Sequence, residues 1–281
     1  MFNFCIKFDN ICLKILLLKK ITVLSLIIAV YKNIDALNLI FESLQSQSFK
    51  NFEVIVAEDN DCPFMRNFIS SQKIKFAFPI KHVQQPDKGF RKCAALNAAI
   101  KITTFDYLVF IDGDCLLHRH FLRAHFENRE KKIALWARRV MLSPLLTNKI
   151  YSTHSLSFLN LPHLIIFGAS RLDCALYLPA LPTPISTASH IWGCNWSIFK
   201  EDILNVNGFD EDYIAAGVGE DTDIEWRLLQ SGIQLKKIKF QALQYHLHHA
   251  ENYSSTNTNE TLMQQKIKLG AVFCKNGIVK A

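Results

Sequence analysis

Three short runs of almost uninterrupted apolar residues, rich in β-branched side chains, constrain this chain most: TVLSLIIAVY at 22–31, FEVIVA at 52–57 and YLVFI at 107–111. A strand with one wet face alternates apolar and polar residues. A run apolar at nearly every position is covered on both faces, as in a parallel sheet with helices above and below. Between the first two runs, Leu37, Ile40, Phe41 and Leu44 recur at helical spacing within 35–47. Residues 22–57 therefore predict a strand, helix, strand unit, and ligands of such sheets bind beyond the carboxyl ends of the strands.

The pattern continues. Residues 66–73 predict a short helix, 80–84 a short strand, 92–101 an Ala-rich helix and 119–129 another helix. Residues 133–140 predict a strand running away from those strand ends. Residues 141–190 contain Pro144, Pro162, Pro179, Pro182 and Pro184 and no firm period. A loop or small helical insert is expected there, with some local helix, because long structureless loops are uncommon. Order resumes at 191–199, followed by helices at 200–207 and 221–231, one or two strands within 234–245 and a helical tail at 258–270. The predicted class is α/β, with a mostly parallel central sheet flanked by helices, in one domain over 22–250 between a lead-in at 1–21 and a tail at 251–281.

With 281 residues, 49% of them hydrophobic, the chain can bury a full core. Its formal net charge of +7 attracts phosphates, nucleic acid or an anionic membrane without choosing among them. No Lys/Arg block is long enough for a nucleic-acid tail, so no nucleic-acid partner is expected. The eight cysteines form no CxxC pair and mostly sit in apolar runs, which favours reduced, buried thiols in a cytoplasmic setting. Residues 1–20 are apolar but interrupted by Lys14, Lys19 and Lys20, short of the roughly 20 apolar residues a spanning helix needs. They read as a basic amphipathic segment that either packs on the domain or touches acidic lipid at the cytoplasmic membrane face. No cleavage site of a signal peptide is evident.

Acidic residues follow two of the apolar runs. Asp112-Gly113-Asp114 ends the third, with a glycine that allows a tight path between two carboxylates. Such a pair holds a hard cation, Mn2+ or Mg2+, which then binds a diphosphate; an ordinary Asp/Gly surface turn is the alternative. Asp59 closes the second run, so two acidic strand ends suggest a cleft. Residues 217–227, GVGEDTDIEWR, place Glu220 and Asp221 at a helix start, where one carboxylate is either a cap or a general base toward an acceptor hydroxyl. In YHLHH, His246 and His249 are candidates to approach one metal or phosphate centre if the chain bends, against a solvent-facing loop. Trp192, Gly193, Asn195 and Trp196 set aromatics around a glycine, suiting sugar rings or simple core packing. Lys88 and Arg91 flank Gly89-Phe90 and offer charge to a diphosphate, or are merely solvated.

Taken together, these blocks resemble the family 2 glycosyltransferases with the GT-A nucleotide-diphospho-sugar fold. The likeness covers about residues 22–250 with the blocks in order. Residues 25–60 resemble the nucleotide-binding start, which implies donor contacts at Ala29 and Tyr31 and a base contact at Asp59. DKGFRKCAALNAAI at 87–100 resembles the segment before the metal motif, implying donor contacts at Lys88 and Arg91, and Asn97 matches a frequent asparagine. YLVFIDGD at 107–114 resembles the DxD strand, implying donor contacts at Asp112 and Gly113 and metal binding at Asp114. Residues 192–233 resemble a galactosyltransferase-like C-terminal segment of bacterial polysaccharide-synthesising enzymes. That implies Asp221 as catalytic base, Glu220 as acceptor contact or alternative base, and sugar or acceptor contacts at Trp192, Gly193, Asn195 and His249. YHLHH resembles the family's H-x-x-H ending, implying His246 as a further metal ligand.

By this likeness, residues 22–115 form the nucleotide-binding half and 116–250 the acceptor and catalytic half. The implied function is an inverting, metal-dependent transfer of a hexose or N-acetylhexosamine from a UDP-sugar to a glycan or lipid-linked glycan, in cell-envelope polysaccharide or lipopolysaccharide synthesis. Two features depart from the pattern. A common proline before the turn at Tyr31 is absent, and residues 141–190 match nothing in it. A nucleotidyltransferase would show a Gly-rich basic loop after the first strand, where AVYKNID stands instead. A non-catalytic sugar-binding module would tolerate loss of Asp114 or Asp221, and both are present.

Overall fold

The apolar side chains of the first strand divide between two cores, because successive strand residues point to opposite faces. The computed structural model describes residues 23–186, 191–215, 219–250 and 257–280. Strand β1 (Leu24–Val30) directs Leu24, Leu26 and Ile28 into one apolar cluster and Ile27 into the other. Helix α1 (Ile34–Gln45) covers the first face with Leu37, Ile40, Phe41 and Leu44. Its start is fixed by Asn33, whose side chain accepts the Ala36 N–H at 3.0 Å. Strand β2 (Phe52–Glu58) follows, then α2 (Pro63–Lys75), longer than predicted because Pro63 sits in its first turn, where proline is preorganised for helix. Strand β3 (Ile80–Gln84) leads to α3 (Lys92–Ile102), which packs Ala95, Leu96, Ala99 and Ile100 on the second face.

Strand β4 (Tyr107–Asp112) pairs in parallel with β1, and β1 with β2, so the carboxyl ends of these strands share one edge. Beyond them lie β5 (Cys115–Leu117), α4 (Phe121–Glu127), β6 (Ile133–Trp136) and β7 (Val140–Met141). The proline-rich region is mostly local helix: α5 (Pro144–Thr153), α6 (Leu161–Ile166) and two single 3-10 turns, followed by the short strand β8 (Ile185–Ser186). The remainder is β9 (Trp196–Phe199), α7 (Lys200–Leu204), α8 (Glu220–Gln230), β10 (Gln234–Lys237), β11 (Gln244–His246) and the tail helix α9 (Asn257–Lys268).

The main sheet has the order β3-β2-β1-β4-β9-β6-β10-β8, and a second sheet has the order β5-β11-β7. Strands from both halves of the chain thus share the central sheet. One expectation is overturned. Strand β6 is antiparallel to β9, and β9 is antiparallel to β4, so β6 runs parallel to β4 and toward its acidic end, not away. The predicted single strand over 133–140 is also two strands, split between the two sheets.

Helix α8 is tied down by a fully buried ion pair. The Arg227 Nε donates to Asp223 at 2.7 Å, and its Nη1 donates to the carbonyls of Val206 and Gly208 at 2.7 and 2.8 Å. Gly219 precedes the helix with φ +141°, and an added Cβ would lie 2.3 Å from the Tyr213 ring, so only glycine fits there. The six cysteines among the described residues are free thiols. No helix among the described residues is long and apolar enough to cross a membrane. The basic lead-in lies outside the described residues. Arg227→Met should leave Asp223 buried without its partner and cost about 3–5 kcal/mol, read as a drop in the midpoint of a urea unfolding curve.

Candidate active site

The acidic edge of the sheet opens into a cavity of about 740 Å³. Ala29, Tyr31 and Asn33 line it from the end of β1, Asp59 from the end of β2, and Asp112, Gly113 and Asp114 from the end of β4. Trp192, Gly193, Glu220 and Asp221 form another wall, and His246 and His249 come from the end of β11. Gly113 is required by packing. A Cβ there would fall 2.7 Å from the Ala29 carbonyl, where the β1 and β4 ends crowd together.

One corner gathers Asp114, His246 and His249. Strand β11 pairs antiparallel with β5 in the register His246 opposite Cys115, and the Leu247 N–H donates to the Asp114 carbonyl at 2.9 Å. This sets the His246 Nε2 3.3 Å from the Asp114 carboxylate. The chain then bends and returns the His249 Nε2 to 3.1 Å from the same oxygen and 3.2 Å from the His246 Nε2. Three candidate ligand atoms thus lie within 4.8 Å of one another. Burial opposes the charge on Asp114, but the two imidazoles hold its carboxyl well below the usual range. The hydrogen bond to Asp114 pushes His249 up to about 9. A carboxylate oxygen and two imidazole nitrogens converging in a partly open corner fit a divalent cation.

A second corner is a chain of alternating charges. Lys92, in the first turn of α3, donates to Asp112 at 2.9 Å and to Glu220 at 2.8 Å. Arg139 meets the other oxygen of Asp112 at 3.4 Å. Burial opposes the Lys92 charge, yet Asp112 and Glu220 hold its pKa well above the usual lysine value. Burial also raises Glu220 and Asp221 above the usual carboxylate range, with Lys92 opposing the rise in both. Both acids occupy the first turn of α8, where exposed helix N–H groups favour negative charge. Asp221 itself is not the cap: Gly219 holds that position, and its N–H donates to Thr222 Oγ1 at 3.1 Å. One Asp221 oxygen accepts the Thr222 N–H at 2.8 Å.

Several predicted residues fall elsewhere. Lys88 and Arg91 line a separate cavity of about 360 Å³ with Glu211, Tyr213 and Asn276, and not the large one. The helix register explains this, since Arg91 is the position before α3, where its N–H donates to Asp59 at 2.7 Å, and the next residue, Lys92, turns inward. Asn195 is fully buried, donating to the Ala242 carbonyl at 3.0 Å and facing the His125 ring, so it cannot touch an acceptor. Trp196 stacks on Phe110 in the core, with ring centroids 4.4 Å apart. Asn97 is a buried brace that holds the backbone of Phe209 through both side-chain atoms. The sequence reading missed Lys92 and Arg139. Lys92 follows the very loop that was singled out. Arg139 was hidden by the reversed direction assigned to residues 133–140.

The chain is similar in sequence to two family models and to several known proteins. Residues 25–144 match the family model described as glycosyl transferase family 2, and residues 172–251 match one described as the N-terminal domain of galactosyltransferase. The validoxylamine A glucosyltransferase of Streptomyces hygroscopicus subsp. jinggangensis (strain 5008) is 27% identical over 233 residues, 76% of this chain and 53% of that protein. The chondroitin synthase of Escherichia coli is 22% identical over 269 residues, 87% of this chain and 38% of that protein. The chain therefore spans about half the length of the first of these relatives and less of the second. The crystal structure of GalNAc-T7 with UDP, GalNAc and Mn2+ superposes with a TM-score of 0.62 at 11% identity, covering 89% of this chain and 48% of that one. At that identity the likeness is one of fold.

Titration with Mn2+, followed calorimetrically, should give one site. His246→Ala and Asp114→Ala should each weaken it by more than about 100-fold, because even groups that only orient metal ligands are worth 10–100-fold. Unchanged binding in both variants would remove this corner as the metal centre.

Proposed function

Because the chain belongs to glycosyltransferase family 2 and carries the GT-A fold, we propose that it transfers a sugar from a UDP-sugar to a hydroxyl of a glycan or lipid-linked glycan, with inversion at the anomeric carbon. The observation that carries this is the convergence in one cavity of a candidate metal corner, Asp114 with His246 and His249, and a buried carboxylate pair, Glu220 and Asp221. Relatives that are named glucosyltransferase and chondroitin synthase support the sugar-transfer chemistry and a setting in polysaccharide synthesis. Residues 22–115 would then serve chiefly the donor and 116–250 the acceptor and catalysis. Action at the cytoplasmic face of a membrane, with the basic lead-in touching lipid, belongs to the same proposal.

In this scheme the donor nucleoside lies along the ends of β1 and β2. Asp59 has both oxygens occupied, one by Gln85 Nε2 at 2.6 Å and one by the Arg91 N–H at 2.7 Å, which fixes its orientation toward a base. Tyr31 lines the same end, and its hydroxyl lies 3.4 Å from Asp87. Lys32 ties Asp87 at 2.7 Å, so the 85–91 segment is strapped beside the nucleoside end of the cavity. Asp114, His246 and His249 would hold Mn2+ or Mg2+, which when bound supplies Lewis acidity toward the departing diphosphate. Asp112, clamped by Lys92 and Arg139, presents a carboxylate of fixed orientation to the sugar end of the donor.

Asp221 is the better base of the two acids. Glu220 is bound to Lys92 and so holds the charge chain in place, whereas Asp221 faces the cavity with one oxygen tied only to backbone. Its raised pKa makes it a stronger base than an exposed aspartate. It takes the acceptor proton as the acceptor oxygen attacks the anomeric carbon from the face opposite the diphosphate.

Purified protein with Mn2+ and a panel of nucleotide sugars should release UDP from one donor, and Asp114→Ala should abolish the release. No release, together with no metal-dependent binding of any nucleotide sugar, would refute the transferase assignment. Asp221→Asn should lower transfer about 10²–10⁴-fold with donor binding retained. Turnover should fall as pH drops through the raised Asp221 pKa, because protonation removes the base. That acid limb should therefore lie above the ordinary carboxylate value of about 4, and a limb at or below that value would argue against Asp221.

A further inference from the structure

Trp192 lines the large cavity together with Gly193 and the proposed base, Asp221. A Cβ on its neighbour Gly193 would lie 3.0 Å from Lys92 Nζ and 3.6 Å from Asp112, so this wall adjoins the charge chain directly. Three guanidinium groups converge on the Trp192 indole. Arg138 lies 3.9 Å from its ring centroid, Arg171 4.8 Å and Arg139 5.8 Å. Arg138 also sits 4.7 Å from the Trp136 ring, which Lys237 approaches at 5.0 Å. Two nearby acids bear on the cluster's own arginines, and a third is held by a lysine. Asp112 carries Lys92 and Arg139, and Asp173 is paired with Lys239. The charge of Glu225 favours that of Arg138.

The position of Arg171 is built rather than incidental. Ser170 and Met141 exchange two backbone hydrogen bonds at 2.9 and 3.1 Å, which pins residue 171 beside the 138–141 segment. Arg171 itself takes the left-handed conformation at φ +57°, unusual for a non-glycine residue, and its side chain is exposed over the indole. Burial lowers the Arg138 pKa from its usual value, and the like charge of Arg171 adds to that effect. Guanidinium groups gathered around one indole suit an oxyanion carried on a sugar ring, since the fork geometry of arginine matches a carboxylate or phosphate.

We propose that Arg171 and Arg138, mounted on Trp192, form an anion subsite that recognises a carboxylate or phosphate on the acceptor glycan, which makes the acceptor class acidic. This rests on the transferase assignment above and deepens it. The two sources share one chemistry, a sugar ring bearing an oxyanion, and differ in which ring position and what charge they present.

The test is a binding measurement in the presence of UDP and Mn2+, by calorimetry or ligand-observed NMR. The probes are methyl β-glucuronoside, methyl 6-phosphoglucoside and neutral methyl β-glucoside. At least one acidic probe should bind about tenfold more tightly than the neutral one, and the tighter of the two identifies the source. Arg171→Ala should erase that preference, Arg171→Lys should keep part of it, and added salt should weaken the acidic probe alone. Lys131→Ala, a surface cation paired with Glu201 far along the chain, should change nothing. Equal binding of all three probes, or an acidic preference that survives Arg171→Ala, would overturn the subsite. Failure of the transferase assignment is separate, because it would appear as absent UDP release whatever the probes do.

Discussion

The antiparallel pairing of β11 with β5 is the contact on which the proposed chemistry depends. It joins the last strand of the domain to the residue after Asp114, in the register His246 opposite Cys115. A slip of one residue would turn His246 to the other face of the small sheet, because side-chain direction alternates along a strand. The register is held on both sides. Leu247 donates to Asp114, and Leu142 donates to the His246 carbonyl at 3.0 Å. The apolar side chains beside the histidine, Tyr245 and Leu247, are buried in the same core as β1. Apolar burial thus holds a ligand cluster that charge alone would not assemble, since bringing a carboxylate out of water is unfavourable without partners.

The second constraint is charge balance around Lys92. Asp112, Glu220 and Asp221 approach one another at the end of the sheet, and like charges at short range in a partly buried site repel strongly. Lys92 bridges two of them, and Arg139 takes the far side of Asp112. The arrangement leaves Glu220 committed and Asp221 facing the cavity. Two adjacent acids in one helix turn thereby acquire different surroundings, the condition under which one can hold structure while its neighbour moves a proton. The buried Asp223–Arg227 pair, one turn further on, secures that helix to the 206–208 carbonyls and so keeps the first turn in place.

The fold was largely legible from residue pattern. The runs at 22–31, 52–57 and 107–111 read as doubly covered strands because nearly every position is apolar, and α1 and α3 read as helices from their spacing. Local chemistry also marked Asp112, Gly113 and Asp114, because acids after an apolar strand have little reason to be there except solvent or a ligand. Where reading failed, the missing information was not local. The direction of β6 depends on which neighbour it pairs with, and no spacing in KKIALWARRV encodes that choice. Arg139 was lost with it. Lys88 and Arg91 carry the same charge as Lys92, and only the helix register decides which of the three faces the cavity. Asn195, between two tryptophans, has the composition of a sugar contact, yet a buried histidine and a carbonyl claim it.

The sequence by itself determined the class of fold, the strand ends that bear acids and the candidate identity of each ligand, because periodicity and residue chemistry are properties of short segments. Tertiary structure decided which of those candidates meet. It joined His249 to His246 and Asp114, chose Lys92 over its neighbours, gave Glu220 and Asp221 different surroundings, and gathered three arginines around Trp192. Those outcomes depend on pairing register, strand direction and the exclusion of water between segments far apart in the chain. Such energies exist only once the chain has closed on itself.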